Sequence, residues 1–187
     1  MKCLKRHGVL VSINPPYTNL IFSGEKPMEF RRKVLNSMLL NTEDHLPLFV
    51  YETKNKGGCG AVVGEAFVSK VYRVYYGKPD NFWYHPSRHA CLIDLYFQWL
   101  KKHEYELSDR DKNLAKPWED AVPFLRYCEK IGYSEKSDFN YAVCLRDVKL
   151  YQNTMELGEF LDKRGNPMGR PPQNMCYTYE EVDELCI

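Results

Sequence analysis

Ala61 to Val74 is a long run rich in valine, phenylalanine and tyrosine, interrupted by Gly64. β-branched and aromatic side chains suit a pleated, half-buried surface, and a glycine inside such a run marks a bulge or a bend. The segment therefore predicts a bent strand of the kind that closes small β-barrels. Immediately before it, Gly57-Gly58-Cys59-Gly60 is a hairpin signal, and Leu46 to Thr53 (LPLFVYET) reads as the preceding strand.

The rest of the chain supplies strands around a helical interval. Val9 to Ile13 is a short β-rich run ended by Asn14-Pro15-Pro16, after which Tyr17 to Phe22 reads as a brief helix stopped at Gly24. Residues 28–32 (MEFRR) predict another strand. The pattern turns helical from Gly77-Lys78-Pro79 to about Asp138. His89 to Lys102 is apolar on nearly all sides and predicts a buried helix, and Trp118, Ala121, Val122, Leu125 and Cys128 fall at helical spacing. Pro123 is compatible with that second helix if Asp120 caps its start, and Gly132 ends it. Phe139, Tyr141, Val143 and Leu145 then alternate with Asn140, Ala142, Cys144 and Arg146, the period of a strand. Met155 to Asp162 predicts a short helix, residues 164–174 a Gly/Pro-rich loop, and Met175 to Tyr179 a last strand.

A chain of 187 residues with 44% hydrophobic and 27% charged residues is large enough to bury a core without metal or disulfides, and one domain over 1–187 is expected. Its seven cysteines form no C-x-x-C pair, which points to a reduced compartment rather than a zinc ribbon or disulfide framework. No signal peptide or membrane span is read, so a cytoplasmic monomer away from membranes is expected. Lys+Arg 26 against Asp+Glu 25 excludes nucleic-acid binding through bulk charge. Charge is nevertheless uneven: seven Lys/Arg in the first 33 residues face two acids, while Glu180 to Ile187 carries four acids and no base. That split predicts a local basic patch at the N-terminal end.

Three segments together resemble the ASCH family, whose fold is a small PUA-like β-barrel related to YTH and EVE domains. In 12–32 (SINPPYTNLIFSGEKPMEFRR), Gly24, Lys26, Glu29 and Arg31 match a G-x-K-x-x-E-x-R motif. VYETK (50–54) and VVGEA (62–66) are similar to the strand pair that faces this motif. Pro171, Pro172 and Gln173, with Tyr177 four residues after the glutamine, resemble a closing segment. The resemblance implies an α+β fold, a PUA-like small β-barrel with flanking helices. Its core covers about 8–75 and 139–179, with a helical insertion at about 78–137. It also implies binding of RNA or single-stranded nucleic acid, with Lys26, Glu29, Arg31, Arg32, Tyr51 and Gln173 as the candidate contacts.

Physical reading of those residues leads the same way. On an extended strand Glu29 and Arg31 share a face while Lys26 precedes it at the glycine turn, so a cation, an acceptor and a planar fork converge at one end of the sheet. Such a set can hold a phosphate or a base edge, and an exposed, salt-bridged strand end is the plainer alternative. Tyr51 is expected in the pocket. In 71–89, Tyr72, Tyr75, Tyr76, Phe82, Trp83 and Tyr84 interleave with Arg73, Lys78 and Arg88, which suits stacking on unpaired bases or covering the barrel end. His85 and His89 lack a third ligand, so neither a metal nor another cofactor is indicated.

A hydrolase is the second reading. Some bacterial ASCH proteins resemble this chain in the same motif and remove the acetyl group from acetylated cytidine with a lysine, a threonine three residues later and a glutamate; others are assigned ribonuclease activity. Lys26 matches the lysine, but Glu29 stands at the threonine position, which removes the hydroxyl nucleophile. An enzyme here would have to rely on Lys26, Glu29 and Glu65. A protein-interaction domain is the third reading.

Overall fold

The computed structural model describes residues 2–39, 47–73, 86–102, 122–133 and 139–183. Six strands form one mixed sheet: β1 (Lys2–Ile13), β2 (Met28–Arg31), β3 (Pro47–Glu52), β4 (Val62–Arg73), β5 (Tyr141–Met155) and β6 (Met175–Asp183), in the order β2-β5-β4-β3-β1-β6. Only β1 and β3 are parallel; every other neighbouring pair is antiparallel. Helices α1 (Pro15–Phe22), α2 (Asn36–Leu39), α3 (Pro86–Lys102) and α4 (Val122–Lys130) complete an α+β fold.

The sheet is open among the described residues, which corrects the expectation of a closed barrel. Edge strands β2 and β6 share no backbone ladder. Side chains bridge that end instead: Arg31 on β2 donates to Asn174 Oδ1 at 3.3 Å, and Asn174 Nδ2 donates to the Lys33 carbonyl. Arg31 also donates to the Ser12 carbonyl at 2.6 Å.

Gly64 behaves as its sequence context predicts. The β4 register slips between Val62 and Gly64. A Cβ at Gly64 would lie 2.3 Å from the Lys149 carbonyl and 2.6 Å from the Phe22 ring. The missing side chain thus lets both a neighbouring backbone and α1 approach the sheet. Asn14 is extended before the first turn of α1, prolines follow it, and Gly24 closes the turn beyond with φ +71°.

Side chains from the central strands are buried on both sides of the sheet, as alternation along a strand allows. Val9, Val11 and Ile13 pack with Ile21, Leu48 and Val50. Leu10, Phe49 and Tyr51 pack with Val62 and Phe160. A third cluster joins Met28, Ala142 and Cys144 to Leu95, Trp99, Phe124, Cys128 and Ile131, so the helical interval packs on the β2–β5 end.

Four expectations need correction. Helix α3 is not buried all round: among its described side chains Leu95, Trp99 and Leu100 are buried, whereas Phe97 is 53% exposed. No helix spans Met155–Asp162; β5 continues to Met155 and only Leu157–Glu159 forms a 3-10 turn. The last strand extends to Asp183. This extension also corrects the predicted charge split in part, because β1 and β6 are antiparallel and Lys5 lies opposite Glu180. The basic start of β1 and the acidic end of β6 therefore lie side by side, whereas Lys26, Arg31, Arg32 and Lys33 lie on and around β2.

Helix α4 places Pro123 in its first turn, as expected, while Trp118, Asp120 and Ala121 lie outside the described residues. Tyr75, Tyr76, Lys78, Phe82, Trp83, Tyr84 and His85 also lie outside them, as do the side chains of Arg88 and His89. Tyr72 is a core residue whose hydroxyl donates to Asp94 at 3.0 Å.

Candidate nucleic-acid interface

A cleft of about 790 Å³ opens where the carboxyl ends of β1 and β3 approach β2 and the Pro171-Pro172-Gln173 loop. Each wall follows from a local rule. The Asn14-Pro15-Pro16 stop turns the chain out of β1 into α1, leaving Ser12, Asn14 and Tyr17 along one side. Glu29 and Arg31, two apart on β2, project together from another. Across from them stand Tyr51 and Thr53, followed by Lys54 in the turn after β3. Lys54 lies over Gly60, where an added Cβ would meet its side chain at 2.5 Å.

The loop of residues 170–174 is rigidified from below: Ser12 Oγ donates to the Pro172 carbonyl at 2.7 Å, and the Ser12 amide donates to the Asn174 carbonyl at 3.2 Å. Thr53 Oγ1 and Asn14 Oδ1 meet at 2.7 Å. Glu52, just behind the wall, accepts from Thr18 Oγ1 at 2.6 Å and from the Cys59 amide at 3.0 Å. Partial burial pushes the Glu52 carboxyl up, but these hydrogen bonds outweigh it and hold the group below its ordinary range.

Beneath the cleft lies the charged cluster. Glu29 is 7% exposed and Lys26 3%. Glu29 Oε1 is 2.9 Å from Arg31 Nε, and Oε2 is 3.4 Å from Lys26 Nζ. Both are ion-pair distances, yet neither Arg31 Nε nor Glu29 Oε2 has an aligned hydrogen-bond partner. Lys26 Nζ instead donates to the Ile131 carbonyl at 2.5 Å and sits over the Phe30 and Tyr17 rings, 4.4 and 4.9 Å from their centroids. Burial lowers the Lys26 pKa, against the opposing pull of Glu29 and with a further lowering from Arg31.

Sequence-predicted site residues thus divide. Glu29, Arg31, Tyr51 and Gln173 line the same cleft. The Tyr51 ring is buried, and its hydroxyl makes no hydrogen bond among the described residues. Lys26 supports the floor from behind rather than forming the wall. Arg32 is exposed at the end of β2 and is not part of the lining. Glu65 belongs elsewhere, accepting from Tyr151 at 2.8 Å and lying 3.5 Å from Lys149. No described group of three His, Cys, Asp or Glu is placed to hold a metal ion. No described helix is long and apolar enough to cross a membrane.

Ile131 was not identifiable as a site residue from sequence, since only its carbonyl acts and it lies 105 positions from Lys26. Lys54, Asn14 and Ser12 were likewise missed, although Lys54 lies inside the quoted VYETK segment.

The fold and the cleft define an α+β protein with an open mixed sheet and a polar cavity at the strand ends. No family model matches the chain, and no curated protein matches it significantly in sequence. Among solved structures it is similar to ASCH from Zymomonas mobilis, at 19% identity and a TM-score of 0.49, over 92% of this chain and 88% of that one. Two variants of the same protein are similar at 20% and 19% identity, each with a TM-score of 0.47 over 92% of this chain. They are covered over 88% and 90% of their own lengths.

Proposed function

We propose that this chain is a nucleic-acid-binding module that takes one unstacked nucleotide of single-stranded RNA into the cleft between β2, β3 and the Pro-Pro-Gln loop. The observation that carries this reading is the cleft itself. Its volume is in the range of small-molecule sites, and one wall presents Glu29 and Arg31 while another presents Tyr51 and Lys54. A guanidinium and an ammonium attract phosphate; a tyrosine ring offers an apolar surface with a polar tip; a carboxylate accepts from a base or ribose donor. The same G-x-K-x-x-E-x-R string that resembles the ASCH motif supplies the charged floor.

A modified base is one occupant that such a pocket could distinguish, since its groups approach the edge of the bound nucleotide. Hydrolysis has less support. Lys26 is 3% exposed and its amine is committed to the Ile131 carbonyl, and Glu65 is outside the cleft lining.

The test is a fluorescence-anisotropy titration of labelled single-stranded RNA and DNA at two salt concentrations. Variants Tyr51→Phe and Lys54→Ala/Gln173→Ala are chosen because neither breaks a contact that holds the fold. Salt-sensitive binding that both variants weaken supports the reading. Binding that neither variant changes, or none at all, overturns it.

A further inference from the structure

Tyr51 brings an unused polar group to the cleft. The residue lines the cavity and is 5% exposed, and its hydroxyl makes no hydrogen bond to a described residue. Among the described residues, the unpartnered side-chain polar atoms that the fold shuts off from solvent are Glu29 Oε2, Arg31 Nε and Thr178 Oγ1. The Tyr51 hydroxyl is not one of them, so the little surface this side chain keeps includes its oxygen. Packing fixes the ring, which belongs to the cluster of Leu10, Phe49 and Phe160. Tyr51 also pairs in register with Ser12 on β1, and register partners project to one face. That is the face on which Ser12 Oγ holds the Pro172 carbonyl of the cleft loop at 2.7 Å.

The charges that share the cleft with this hydroxyl are mainly positive. Ser12 brings Arg31 to the same place, its carbonyl accepting from the guanidinium at 2.6 Å, while Asn174 and Glu29 brace the other nitrogens. The guanidinium is thus held in place before any ligand arrives. Lys54 lines the cavity too and pairs with no described acid. Glu29, the one carboxylate of the described lining, is already flanked by Arg31 at 2.9 Å and Lys26 at 3.4 Å. A phenol beside two cations serves as a donor, and the complement to such a set is an anion with several oxygens. A phosphomonoester carries about −1.5 to −2 charges at neutral pH and three acceptor oxygens, more of both than a bridging diester offers. Depth favours the same choice. A hydroxyl on a residue 5% exposed is within reach of a strand end, whereas an internal diester would have to bring both flanking arms of the strand with it.

We propose that the cleft recognises a terminal phosphate, taking the phosphomonoester of a strand end or of a free nucleotide on the Tyr51 hydroxyl, with Arg31 and Lys54 as its countercharges. This inference rests on the nucleotide-binding reading and adds which nucleotide of a strand is captured, and by which of its groups. Tyr51 is then the residue that separates a phosphorylated end from an unphosphorylated one.

The experiment uses the full chain and short single-stranded RNAs of one sequence, labelled internally so that both ends stay free. One carries a 5′-phosphate, one a 3′-phosphate and one hydroxyls at both ends, and their affinities are compared by anisotropy. A phosphorylated end is expected to bind about tenfold more tightly than the hydroxyl-ended strand, the scale of one hydrogen bond to a charged group. Tyr51→Phe keeps the ring and every charge, so an advantage due to added charge alone would survive in it; the expected result is that most of the advantage is lost. Uridine 5′- and 3′-monophosphates, added as competitors, separate the two sources: displacement by either at the concentration of the phosphorylated RNA supports a free nucleotide, and displacement by RNA alone supports a strand end. Equal affinity of all three strands for the unsubstituted protein overturns the inference and leaves nucleotide binding standing. So does an advantage that Tyr51→Phe preserves. Failure of every strand and nucleotide to bind overturns the nucleotide-binding reading itself.

Discussion

Lys26→Met tests whether the buried cluster behind the cleft is a structural keystone. Methionine keeps an unbranched stem between the Phe30 and Tyr17 rings but removes the hydrogen bond to the Ile131 carbonyl and the cation 3.4 Å from Glu29. Removing one partner from a buried ionic group costs roughly 3–5 kcal/mol, and relief of the lysine's own burial offsets part of that, leaving a destabilisation of about 3 kcal/mol. For a chain of this size that corresponds to a melting temperature lower by about 6–12 °C, readable by calorimetry or by urea titration followed by tryptophan fluorescence. The pH dependence adds a second check. Burial lowers the folded-state pKa of Lys26 below its ordinary value of 10.5. Between those two values the unfolded chain binds a proton that the folded chain does not, so this group's contribution to stability rises with pH across the window. The gap between the unsubstituted protein and Lys26→Met is therefore expected to widen as pH is raised toward 10.5. A variant as stable as the parent at neutral pH, or a gap that narrows with rising pH, would refute the reasoning.

Other outcomes follow from contacts already described. Gly64→Val forces a side chain against the Lys149 carbonyl and the Phe22 ring, and should cost about 3 kcal/mol in a urea titration; a cost below about 1 kcal/mol would mean the bulge relaxes freely. Tyr151→Phe removes the hydroxyl bound to Glu65, and is expected to lower stability by about 1 kcal/mol in the same urea titration; no loss would mean that the hydroxyl adds nothing to the fold. Among the described cysteines, exposed Cys59 should be alkylated by iodoacetamide in the native protein; Cys128 and Cys144, whose thiols burial pushes up to about 12, should react only after denaturation, as peptide mass mapping would show.

Elements with a strong local period were legible in the sequence. Alternation located β5 near residues 139–146, the valine- and aromatic-rich run located β4, and Gly64 marked its bulge. The extent of β5 was not legible, because beyond Arg146 the strand turns through Asp147 at φ +50° and exposes Lys149 and Leu150, which erases the alternation. Closure was not legible either: a short β2 ends at Arg31, and the task of linking the sheet edges passes to Arg31 and Asn174 side chains. At the site, the two-residue spacing of Glu29 and Arg31 correctly placed them together. The same spacing carried no sign that Lys26 turns away to meet a carbonyl from the far end of α4, since backbone groups have no sequence signature. Nor did the sequence order show that Lys5 on the first strand lies opposite Glu180 on the last.

That separation along the chain also governs when the cleft can exist. Ser12 reaches Pro172 across 160 positions, and Arg31 reaches Asn174 across 143. Contacts so distant in sequence must await loop closure, which slows folding, and during synthesis β1 emerges long before its neighbour β6. A nascent chain stopped before residue 170 would therefore carry Lys26, Glu29 and Arg31 and still lack the wall against which they work. The cleft is thus completed at the end of folding rather than along the way.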